Sequence, residues 1–544
     1  MSHGVTQAAA YDLPVFPWQR APEQDGAKAR HPVIVVGGGL SGLTCATDLA
    51  LRGVPVVLLD EDDTVGVRGA SSRGICYAER SLDIMDRFGV YDRVRAKGVT
   101  WSVGRVLDEA GEVYRFDLAQ ERLSKQPPFI NCQQFYIEWF LAERLMEQPN
   151  AEVRWRHRVT GVTPRADHVS LTVETPEGSY ATEASWLVDA TGIASPIRDA
   201  LGVRAASARH EDRWIILDVR FSKDFPRERW TWARAAFNDG RAVWQHPMAD
   251  GVWRIDYQLG PETPVEEITS EEGIARRLRA HLGEDVGVEI VWVGPWGYRT
   301  HLLDSFRAGR TFFIGDAAHV FNPFGARGGN SGIQDAENLS WKLAAVLEGA
   351  APESLLDTYD AERRAAAAHN IRTTARSIRF LAPRSPFEHA LRDAVMGLAR
   401  RHDFARRIVD MGRMSVAYDY ADSPLTSSGS GSAFPNAAIT LPDGTEGAVS
   451  DLLRGPGAKG LVIGGPGAVM PGGVSPRVRV VSVDPVSGLP RIAGPALEQL
   501  VGEGEVLVIR PDQHVAARLR RPDAGAVRAA VARAFGEDVM AEAA

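Results

Sequence analysis

Two short apolar runs flank a glycine turn and an amphipathic stretch near the start of the chain. The first run, PVIVV at residues 32–36, is bounded by glycine, which is typical of a buried parallel strand. The stretch LSGLTCATDLALRG repeats its apolar positions at helical spacing, and Gly53 stands where a helix commonly ends. The second run, VPVVLLD, closes at Asp60. This order predicts a strand, a helix and a second, parallel strand.

The middle of the chain has a different pattern. Residues 106–130 and 205–295 are rich in aromatic side chains and alternate between apolar and polar positions, as in WIILDVRF and GVWRIDYQL. Such alternation predicts an antiparallel sheet. TFFIG at residues 311–315 returns to the pattern of a buried strand, and residues 331–420 have the spacing of helices.

The last part of the chain begins with a tract of small polar residues. SPLTSSGSGSAFP at residues 423–435 is typical of a flexible linker. Beyond it, residues 436–544 contain AKGLVIGG, RVRVVSV and GEVLVIRP, which we interpret as strands of a small α/β unit.

Composition limits the classes of function. The 544 residues exceed what one hydrophobic core normally serves and predict about three domains. The net charge of −8 disfavours nucleic acid as a partner. No apolar run reaches the roughly 18 residues of a membrane span, and the first residues lack the pattern of a secretion signal. Because Cys45, Cys76 and Cys132 have no CxxC spacing, we expect a reduced, cytoplasmic chain with neither disulfides nor a metal site.

The glycine turn after the first predicted strand has a specific spacing. Gly37, Gly39 and Gly42 form the pattern G-x-G-x-x-G. There the first glycine permits a tight turn, the second lets a pyrophosphate approach the backbone, and the third lets helix and strand pack closely. Asp60 ends the second strand, where a carboxylate can bind ribose hydroxyls. The pattern predicts a dinucleotide site, with an ordinary glycine turn as the alternative, and it does not separate NAD from FAD.

A second glycine-rich stretch, GDAAHVFNPFGARGGNSGIQDAENLSWKL, occupies residues 315–343. Asp316 follows a predicted strand end, where its carboxylate can accept hydrogen bonds from sugar-like hydroxyls. The helix expected from Ser331 directs its N–H groups to the same place, and a helix N-terminus stabilises negative charge by roughly 0.3–2 kcal/mol. A reduced flavin carries such a charge at its pyrimidine edge. Together the two stretches favour FAD.

The chain resembles the FAD-dependent aromatic hydroxylases, the flavoprotein monooxygenases of the p-hydroxybenzoate and phenol hydroxylase fold. It is most similar to the 3-(3-hydroxyphenyl)propionate hydroxylase type that ends in a thioredoxin-like domain. The resemblance covers residues 30–540 and is carried by VVGGGLSGL, SSRGICYAERSLDIMDRFG, INCQQFYIEWFLAERL, LLDTYDAERR and, above all, the stretch at 315–343. It implies an α/β (α+β) fold: a Rossmann-like FAD-binding domain with an inserted antiparallel substrate domain, a helical segment and a thioredoxin-like α/β domain.

These expectations divide the chain into successive parts. We assign residues 1–30 to an N-terminal arm, residues 31–105, 131–204 and 296–350 to the FAD-binding domain, 106–130 and 205–295 to the substrate domain, 351–422 to the helical segment, 423–435 to the linker and 436–544 to the thioredoxin-like domain. The last part contains no cysteine, which excludes thiol redox catalysis there. A stabilising role or a role in forming a homodimer remains.

The resemblance also implies cofactor contacts. The glycines of the first motif would face the pyrophosphate, Asp60 the adenosine ribose, and Asp316, beside Gly315, the ribityl chain. The remaining contacts are Arg73 along the cofactor, Gln134 at its sugar–phosphate region, Arg327 as a positive charge near the flavin, and Gly328, Gly329 and Asn330 at the N1–C2=O edge. Three of these have plainer alternatives, namely a surface ion pair for Arg73, a helix cap for Gln134 and a structural role for Arg327.

The same resemblance implies hydroxylation of a phenolic or related aromatic ring through a flavin C4a-hydroperoxide, formed from FAD, NADH or NADPH, and O2. The cofactor carries this chemistry, so no nucleophile or metal is required. Pro323 would turn its carbonyl toward the substrate phenol, unless it only ends a turn. The other candidate substrate contacts are His246, Tyr257, Tyr298 and His301, and His319 is expected to be structural.

One segment departs from the family pattern. Relatives commonly carry DGARSxVR, whereas this chain has LVDATGIASPIR at residues 187–198. Thr191 replaces the aspartate and Ala194 the arginine, while Ser195 and Arg198 are retained. We expect FAD binding to be unaffected, and the choice of nicotinamide donor stays open.

Two other functions stay open at this stage. The same cofactor would support Baeyer–Villiger oxygenation, reduction or halogenation of an aromatic or polyketide-like compound, although WTWARA at residues 230–235 differs from the WxWxIP of halogenases. A third interpretation follows from the Thr191 replacement, namely a flavoprotein without catalytic activity.

Overall fold

The computed structural model describes residues 11–66, 74–119, 122–260, 263–264, 269–383, 385–409, 415–427, 429–470 and 474–537. Its α-helices are α1 (Leu40–Leu51), α2 (Glu79–Phe88), α3 (Tyr91–Lys97), α4 (Gln134–Met146), α5 (Pro196–Ala200), α6 (Glu271–Leu282), α7 (Arg327–Leu347), α8 (Asp357–Leu381), α9 (Pro386–Ala399), α10 (Asp403–Val409), α11 (Pro495–Leu500) and α12 (Ala524–Ala534). Short 3-10 helices are found at Pro22–Asp25, Ala236–Asn238, Ala249–Gly251, Gly315–Ala317, Glu353–Leu356 and Val449–Leu453.

The strands follow in chain order. They are β1 (Arg30–Val36), β2 (Val56–Asp60), β3 (Cys76–Ala78), β4 (Val99–Trp101), β5 (Val103–Asp108), β6 (Gly111–Asp117), β7 (Phe129–Asn131), β8 (Ala151–Trp155), β9 (Arg158–Pro164), β10 (Val169–Thr175), β11 (Gly178–Asp189), β12 (Ala205–Phe221), β13 (Arg229–Ala235), β14 (Arg241–Pro247), β15 (Val252–Leu259), β16 (Val288–Leu303), β17 (Arg307–Ala308), β18 (Thr311–Phe313), β19 (His319–Val320), β20 (Ala438–Thr440), β21 (Glu446–Ala448), β22 (Gly460–Gly464), β23 (Val478–Ser482), β24 (Glu505–Ile509) and β25 (Val515–Arg520).

The first large sheet is built on five parallel strands in the order β8-β2-β1-β11-β18. The predicted strand–helix–strand unit is its centre, with β1 and β2 paired and α1 between them in the chain. Val33, Ile34 and Val35 are completely buried, because a parallel strand covered on both faces has no polar side. Side chains of α1, α4 and α7 belong to the same core. The Rossmann-like part of the predicted fold is confirmed.

The second large sheet has the order β19-β16-β12-β15-β14-β13-β5-β6. Its pairs are antiparallel, as predicted, except that β5 joins β13 in parallel. One face packs against side chains of α8, α9 and α10, and the other packs against α6. The sheet also reaches Leu303, beyond the residues expected for it, because β16 is long and strongly paired with β12.

The C-terminal unit is a mixed sheet of order β23-β22-β24-β25 with α11 and α12. It is fastened to the helices α7 and α8 by buried charges. Arg510 contacts both oxygens of Glu362 at 2.5 and 2.8 Å and reaches Asp512 at 2.6 Å. Asp512 accepts a hydrogen bond from the Trp341 indole at 3.1 Å. The unit is therefore an integral part of the protein rather than an appended module.

The segment 423–435 is packed rather than free. Leu425 and Phe434 are buried, and the Ser423 hydroxyl donates to Glu362 at 2.5 Å. A Cβ at Gly431, where φ is 119°, would overlap the backbone of Ala421. In the described part of this segment, serine and glycine thus serve close packing between the units and not the flexibility that their composition suggests.

Within the described residues, the helices are too short or too polar to cross a bilayer. The three cysteines are all buried, and burial raises the pKa of each thiol to about 12. At neutral pH these thiols are therefore protonated and sheltered from solvent, and they belong to the packing of the protein.

Candidate functional site

Four parallel strands bring the expected site residues to one edge of the first sheet. β1 ends before Gly37, β2 ends at Asp60, β11 ends before the segment 190–198, and β18 ends shortly before Gly315. Because these strands run parallel, their carboxyl ends lie on the same side. Ligands of open α/β sheets bind outside these ends. The topology thus gathers segments that are far apart in the sequence.

The three glycines of the first motif have different surroundings. Gly37 has a φ of 109°, and a Cβ there would lie 2.5 Å from the carbonyl oxygen of Ala190. A Cβ at Gly42 would overlap the carbonyl oxygen of Gly37. Gly39, the N-cap of α1, has an ordinary extended backbone, and a Cβ there would come no nearer than 3.9 Å to Glu138. Backbone packing thus requires Gly37 and Gly42, whereas Gly39 borders open space.

Asp60 lies directly beside this turn. Its carboxylate accepts hydrogen bonds from the N–H groups of Gly38 and, at 2.8 Å, Asp62. Burial raises the pKa of this carboxyl to about 7. The strand end therefore places a buried acid directly beside the glycine turn.

Glu138, which sequence reasoning missed, fixes the backbone around the start of α1. One of its oxygens accepts from the Leu40 N–H at 3.1 Å and from Gln134 at 2.7 Å, and the other accepts from the Gly66 N–H at 2.9 Å. Gln134 in turn accepts from the Gly74 N–H at 2.9 Å. The available signal was the spacing of Gln134 and Glu138, which puts both polar side chains on one face of an otherwise apolar helix.

The two glycine stretches pack directly on each other. Ser41, in the first turn of α1, lies between Gly315 and Gly332, and a Cβ on either glycine would overlap its hydroxyl. Gly329 approaches the same helix, since a Cβ there would lie 3.0 Å from the Leu40 side chain. The N-terminal turns of α1 and α7 are thereby held together, so that one elongated ligand can contact both.

The start of α7 follows a tight turn. Gly325 and Ala326 both have positive φ, 76° and 53°, before the helix begins at Arg327. The Arg327 side chain is buried and donates to Asn370 at 2.8 Å. A Cβ at Gly328 would meet no atom within 4 Å. Since the first N–H groups of a helix have no partner within it, this turn offers donors toward open space.

The side-chain amide of Asn330 is hydrogen-bonded within the protein. Its Nδ2 donates to the carbonyl oxygens of Cys76 at 2.8 Å and Ala326 at 2.6 Å. Its Oδ1 accepts from the Ala78 N–H at 2.9 Å and the Ser81 hydroxyl at 2.6 Å. These bonds anchor the start of α7 to β3 and α2. Asn330 therefore positions the helix.

Asp316 is exposed although the residues on both sides of it are buried. Below this loop, Asp335, which sequence reasoning missed, accepts from the Gly315 N–H at 3.1 Å and contacts His319 and Arg363, each at 2.6 Å. Although burial opposes the charged form, these two contacts hold the pKa of Asp335 below its usual value. His319 is thus bound into the support of the loop, in keeping with the structural role expected for it.

Thr191 closes the loop after β11 on itself. Asp189 accepts from the N–H of Thr191 at 3.0 Å and from its hydroxyl at 2.7 Å, and also from the Ser195 hydroxyl. Burial raises the pKa of Asp189. Arg198 donates to the carbonyl oxygen of Ile193 at 3.0 Å. The residue that departs from the family pattern therefore serves to hold the loop at the strand edge.

The second sheet presents an aromatic surface to the loop 321–326. Phe324 packs on Trp244 and Trp214, with ring centroids 4.9 and 6.1 Å away. The two tryptophans stack on each other at 4.4 Å with an interplanar angle of 18°. We call these three rings the aromatic cluster. It joins the loop of the first sheet to one face of the second.

Tyr257 lies on the opposite face, which corrects its assignment as a substrate contact. Its hydroxyl shares a hydrogen bond with His281 of α6 at 2.8 Å, and its ring belongs to the core between the sheet and α6. Neighbouring strand residues point to opposite faces. The register pairs Trp244 with Asp256, so Asp256 shares the face of the aromatic cluster and Tyr257 points away.

His246 does share the face of Trp244, two residues further along β14. Burial, together with the charges of Arg229 and Arg254, lowers the pKa of His246 well below its usual value. Its Nε2 lies 3.7 Å from Asp256, whose own pKa burial raises to about 7. A neutral imidazole in this place can form hydrogen bonds but does not readily take up a proton.

The other predicted substrate contacts lie outside the aromatic cluster. His301 is hydrogen-bonded at 2.7 Å to the Ser207 hydroxyl, and burial lowers its pKa to about 4. Pro323 is exposed at the loop, although its carbonyl also accepts a backbone N–H at 3.3 Å. Tyr298 belongs to β16, but its side chain, like all of Arg73, lies outside the described residues.

Groups of three or more His, Cys, Asp or Glu arranged for a metal ion are absent from the part of the chain described.

Comparisons with known proteins agree with this geometry. Residues 30–374 match the family described as FAD binding domain. The chain is 30% identical over 534 residues to 6-methylpretetramide 4-monooxygenase of Streptomyces rimosus, covering 92% of each protein. It is 30% identical over 378 residues to a 3-(3-hydroxy-phenyl)propionate/3-hydroxycinnamic acid hydroxylase of Mycolicibacterium gilvum, covering 69% of this chain and 65% of that protein. The structure of the flavin-dependent monooxygenase PieE, in complex with FAD and substrate, matches with a TM-score of 0.78 at 21% identity, covering 94% of this chain and 100% of that one.

The resemblance seen in the motifs and the expectation of FAD as cofactor are thereby confirmed. The interlocked glycine stretches supply the close approach to backbone that such a cofactor requires. The chain belongs to the family of proteins with this FAD binding domain, and it is an FAD-dependent monooxygenase.

Proposed function

We propose that this monooxygenase hydroxylates an aromatic ring bearing at least one hydroxyl group, with NADH or NADPH as electron donor and O2 as oxygen donor. The observation that carries the proposal is the contact between the loop 321–326 and the aromatic cluster, because it brings three aromatic rings beside the predicted flavin position. The relatives reported above are named for a methylpretetramide and for a hydroxyphenylpropionate or hydroxycinnamic acid, and an aromatic substrate fits both.

The residues at the first motif fit the adenosine diphosphate half of FAD. Gly39 borders open space at the N-terminus of α1, where helix N–H groups favour a phosphate. Asp60, at the end of β2, would accept hydrogen bonds from the ribose hydroxyls. We assign to Gly37 and Gly42 the shape of the turn, and to Gln134, which is bound to Gly74, the support of the cofactor region.

The residues at the second stretch fit the flavin half. The exposed carboxylate of Asp316 would accept hydrogen bonds from the ribityl chain, with Gly315 holding the loop through Asp335. The N–H groups of Gly328 and Gly329 would face the N1–C2=O edge, and Arg327 would add positive charge there. A negative charge at a helix N-terminus is stabilised by roughly 0.3–2 kcal/mol. Arg73 stays a predicted contact.

FAD supplies electron storage and oxygen activation when it is bound. The chain's own residues hold the ring and keep water out, since the loop 321–326 and the aromatic cluster close over it. His246, held neutral, offers hydrogen bonds to a phenolic oxygen without removing its proton outright. Pro323 would turn its remaining carbonyl lone pair toward the same oxygen.

The loop that contains Thr191 keeps its shape with either nicotinamide donor, NADH or NADPH. Thr191 stabilises its loop through Asp189, so the loop keeps its shape without the family carboxylate. A missing negative charge disfavours neither NADH nor NADPH by itself. We therefore leave both as donors.

The decisive experiment is a turnover assay on the FAD-loaded protein. We expect a suitable hydroxylated aromatic to accelerate NADH or NADPH oxidation and to yield a product that has gained one oxygen atom, detected by mass spectrometry with labelled O2. A protein that binds FAD but shows no acceleration and no labelled product with any phenolic compound would contradict the proposed hydroxylation.

We further propose that the chain is a cytoplasmic homodimer, formed through α9 and α10. Phe387, Leu391 and Leu398, which recur on one face of α9, are 74%, 50% and 43% exposed, and Phe404 and Ile408 of α10 are 52% and 57% exposed. Contiguous exposed apolar surface commonly marks an interface. The three buried, unpaired thiols suit a reducing compartment.

Changing both Phe387 and Leu391 to Asp should convert the dimer into a monomer without loss of FAD, because charges would replace the apolar contact. Light scattering after size-exclusion chromatography measures the mass of the particle. Val486→Asp, at a side chain 87% exposed in the C-terminal unit, is the matched control and should stay dimeric. A wild-type protein that is monomeric at micromolar concentration would refute the dimer.

A further inference from the structure

Asn322 has a buried amide that the protein itself does not satisfy. Its side chain is 1% exposed, and neither Oδ1 nor Nδ2 has a hydrogen-bond partner among the described residues. Leaving a buried donor or acceptor unpaired is destabilising, so such a group in a folded protein calls for an explanation. An apolar side chain of the same size would fill the space without that penalty.

The position of Asn322 points to the substrate. It precedes Pro323, the exposed residue of the loop, and lies two residues before Phe324 of the aromatic cluster. Two residues of chain span at most about 7 Å. Asn322 thus belongs to the loop that packs on the stacked pair of Trp214 and Trp244.

The same region holds further unpaired hydrogen-bonding groups. The indole N–H groups of Trp214 and Trp244 and the Nδ1 of His246 are buried and have no partner among the described residues. Buried tryptophan N–H groups usually find an acceptor. Both indoles can only donate, whereas the amide of Asn322 donates and accepts. A ligand that satisfies them all must carry several oxygen atoms around a flat frame.

We propose that Asn322 is a specificity-determining residue, which together with the indole N–H groups of Trp214 and Trp244 binds the oxygen substituents of a multi-ring aromatic substrate. This proposal rests on the proposed hydroxylase function and narrows its substrate class. The stacked tryptophans supply the surface for the rings, and the donors select compounds with carbonyl or hydroxyl groups on more than one ring. A single-ring phenol can contact only some of these hydrogen-bonding groups.

The test uses the FAD-loaded full chain and two probes, the dihydroxyanthraquinone alizarin and the single-ring 3-(3-hydroxyphenyl)propionate. Binding is followed by tryptophan fluorescence and by the change in flavin absorbance, without electron donor. We expect alizarin to bind more tightly than the single-ring compound. Asn322→Leu should weaken alizarin binding about tenfold to a hundredfold, with little change for the single-ring probe.

The melting temperature of the Asn322 variant distinguishes a role in substrate binding from a structural role. Asn322→Leu should leave FAD content unchanged and raise the melting temperature of the ligand-free protein, because an unpaired amide is removed. Trp244→Phe keeps the stacking and loses the indole N–H, and it should also weaken alizarin binding. Gln245→Leu is the matched control: its amide is equally buried and unpaired among the described residues, but it faces away from the cluster, so alizarin binding should not change.

The outcomes separate the two proposals. If alizarin binds equally well to wild type, Asn322→Leu and Trp244→Phe, or if Asn322→Leu melts lower and loses FAD, the role of Asn322 is overturned while the hydroxylase function stands. If the single-ring compound binds more tightly and is hydroxylated, the substrate class proposed here is wrong. If neither class of aromatic stimulates NADH or NADPH oxidation, the proposed function itself fails.

Discussion

Gly39→Ala is expected to remove FAD from the protein while leaving its fold intact. The backbone at Gly39 is extended, with φ −80° and ψ −178°, so alanine adopts it without strain. The added methyl group would meet no protein atom closer than 3.9 Å and would occupy the space assigned to the pyrophosphate. Overpacking of this kind costs about 1–3 kcal/mol, which weakens FAD binding by about fivefold to 150-fold. The FAD content of the purified protein and the melting curve of the apoprotein measure the two effects.

Gly42→Ala is the comparison within the same motif. Its methyl group would overlap the carbonyl oxygen of Gly37, which belongs to the backbone and cannot rotate away. We therefore expect lost stability even in the absence of FAD, together with lost binding. If Gly39→Ala purified with a full complement of FAD, the pyrophosphate would have to lie elsewhere than at the N-terminus of α1.

Arg510→Met is expected to destabilise the whole protein and not only its C-terminal unit. Arg510 is completely buried and joins Glu362 of α8 to Asp512. Removing one partner of a buried ion pair leaves uncompensated charge and typically costs about 3–5 kcal/mol. Because Asp512 also binds Trp341 of α7, the loss should reach the helix that begins at the flavin edge. Thermal unfolding followed by both circular dichroism and flavin fluorescence would show the two signals falling together.

Arg520→Met provides the control for this substitution. Arg520 lies in β25 of the same unit, its side chain is 87% exposed, and it is 3.6 Å from Glu505. Exposed pairs contribute little, so the melting curve should be unchanged. A protein whose C-terminal unit melts first, with FAD still bound, would show that the two parts are not coupled through Arg510.

The sequence pattern predicted those parts of the fold that depend on residues close together in the chain. The period of the apolar positions identified β1, α1 and β2, and the glycine spacing located the turn between them. The helical stretch after residue 331 was recognised in the same way, although α7 begins four residues earlier at Arg327. A left-handed Ala326 ends the preceding turn, and alanine gives no sequence signal for that conformation.

The parts that could not be predicted depend on contacts between distant segments. Tyr257 was assigned to the wrong face, because period two does not say which face of a sheet is turned toward a partner domain. Glu138 and Asp335 look like ordinary helix acids, and only the folded chain shows them accepting backbone N–H groups near the two glycine stretches. The hydrogen bonds that the side-chain amide of Asn330 makes within the protein follow from the approach of β3 and α2, which the sequence does not show.

The interlocking of Ser41 with Gly315 and Gly332 has a consequence for how the protein is made. The unit from β1 to β2 emerges early from the ribosome, but Ser41 of α1 lacks its packing partners until residue 332 has been synthesised, and Trp341 of α7 gains its contact with Asp512 later still. At about 5–20 residues per second, that interval is on the order of a minute. We therefore expect FAD to be taken up only after α7 has been synthesised, because Gly315 and Gly332 complete the packing of Ser41 at the start of α1.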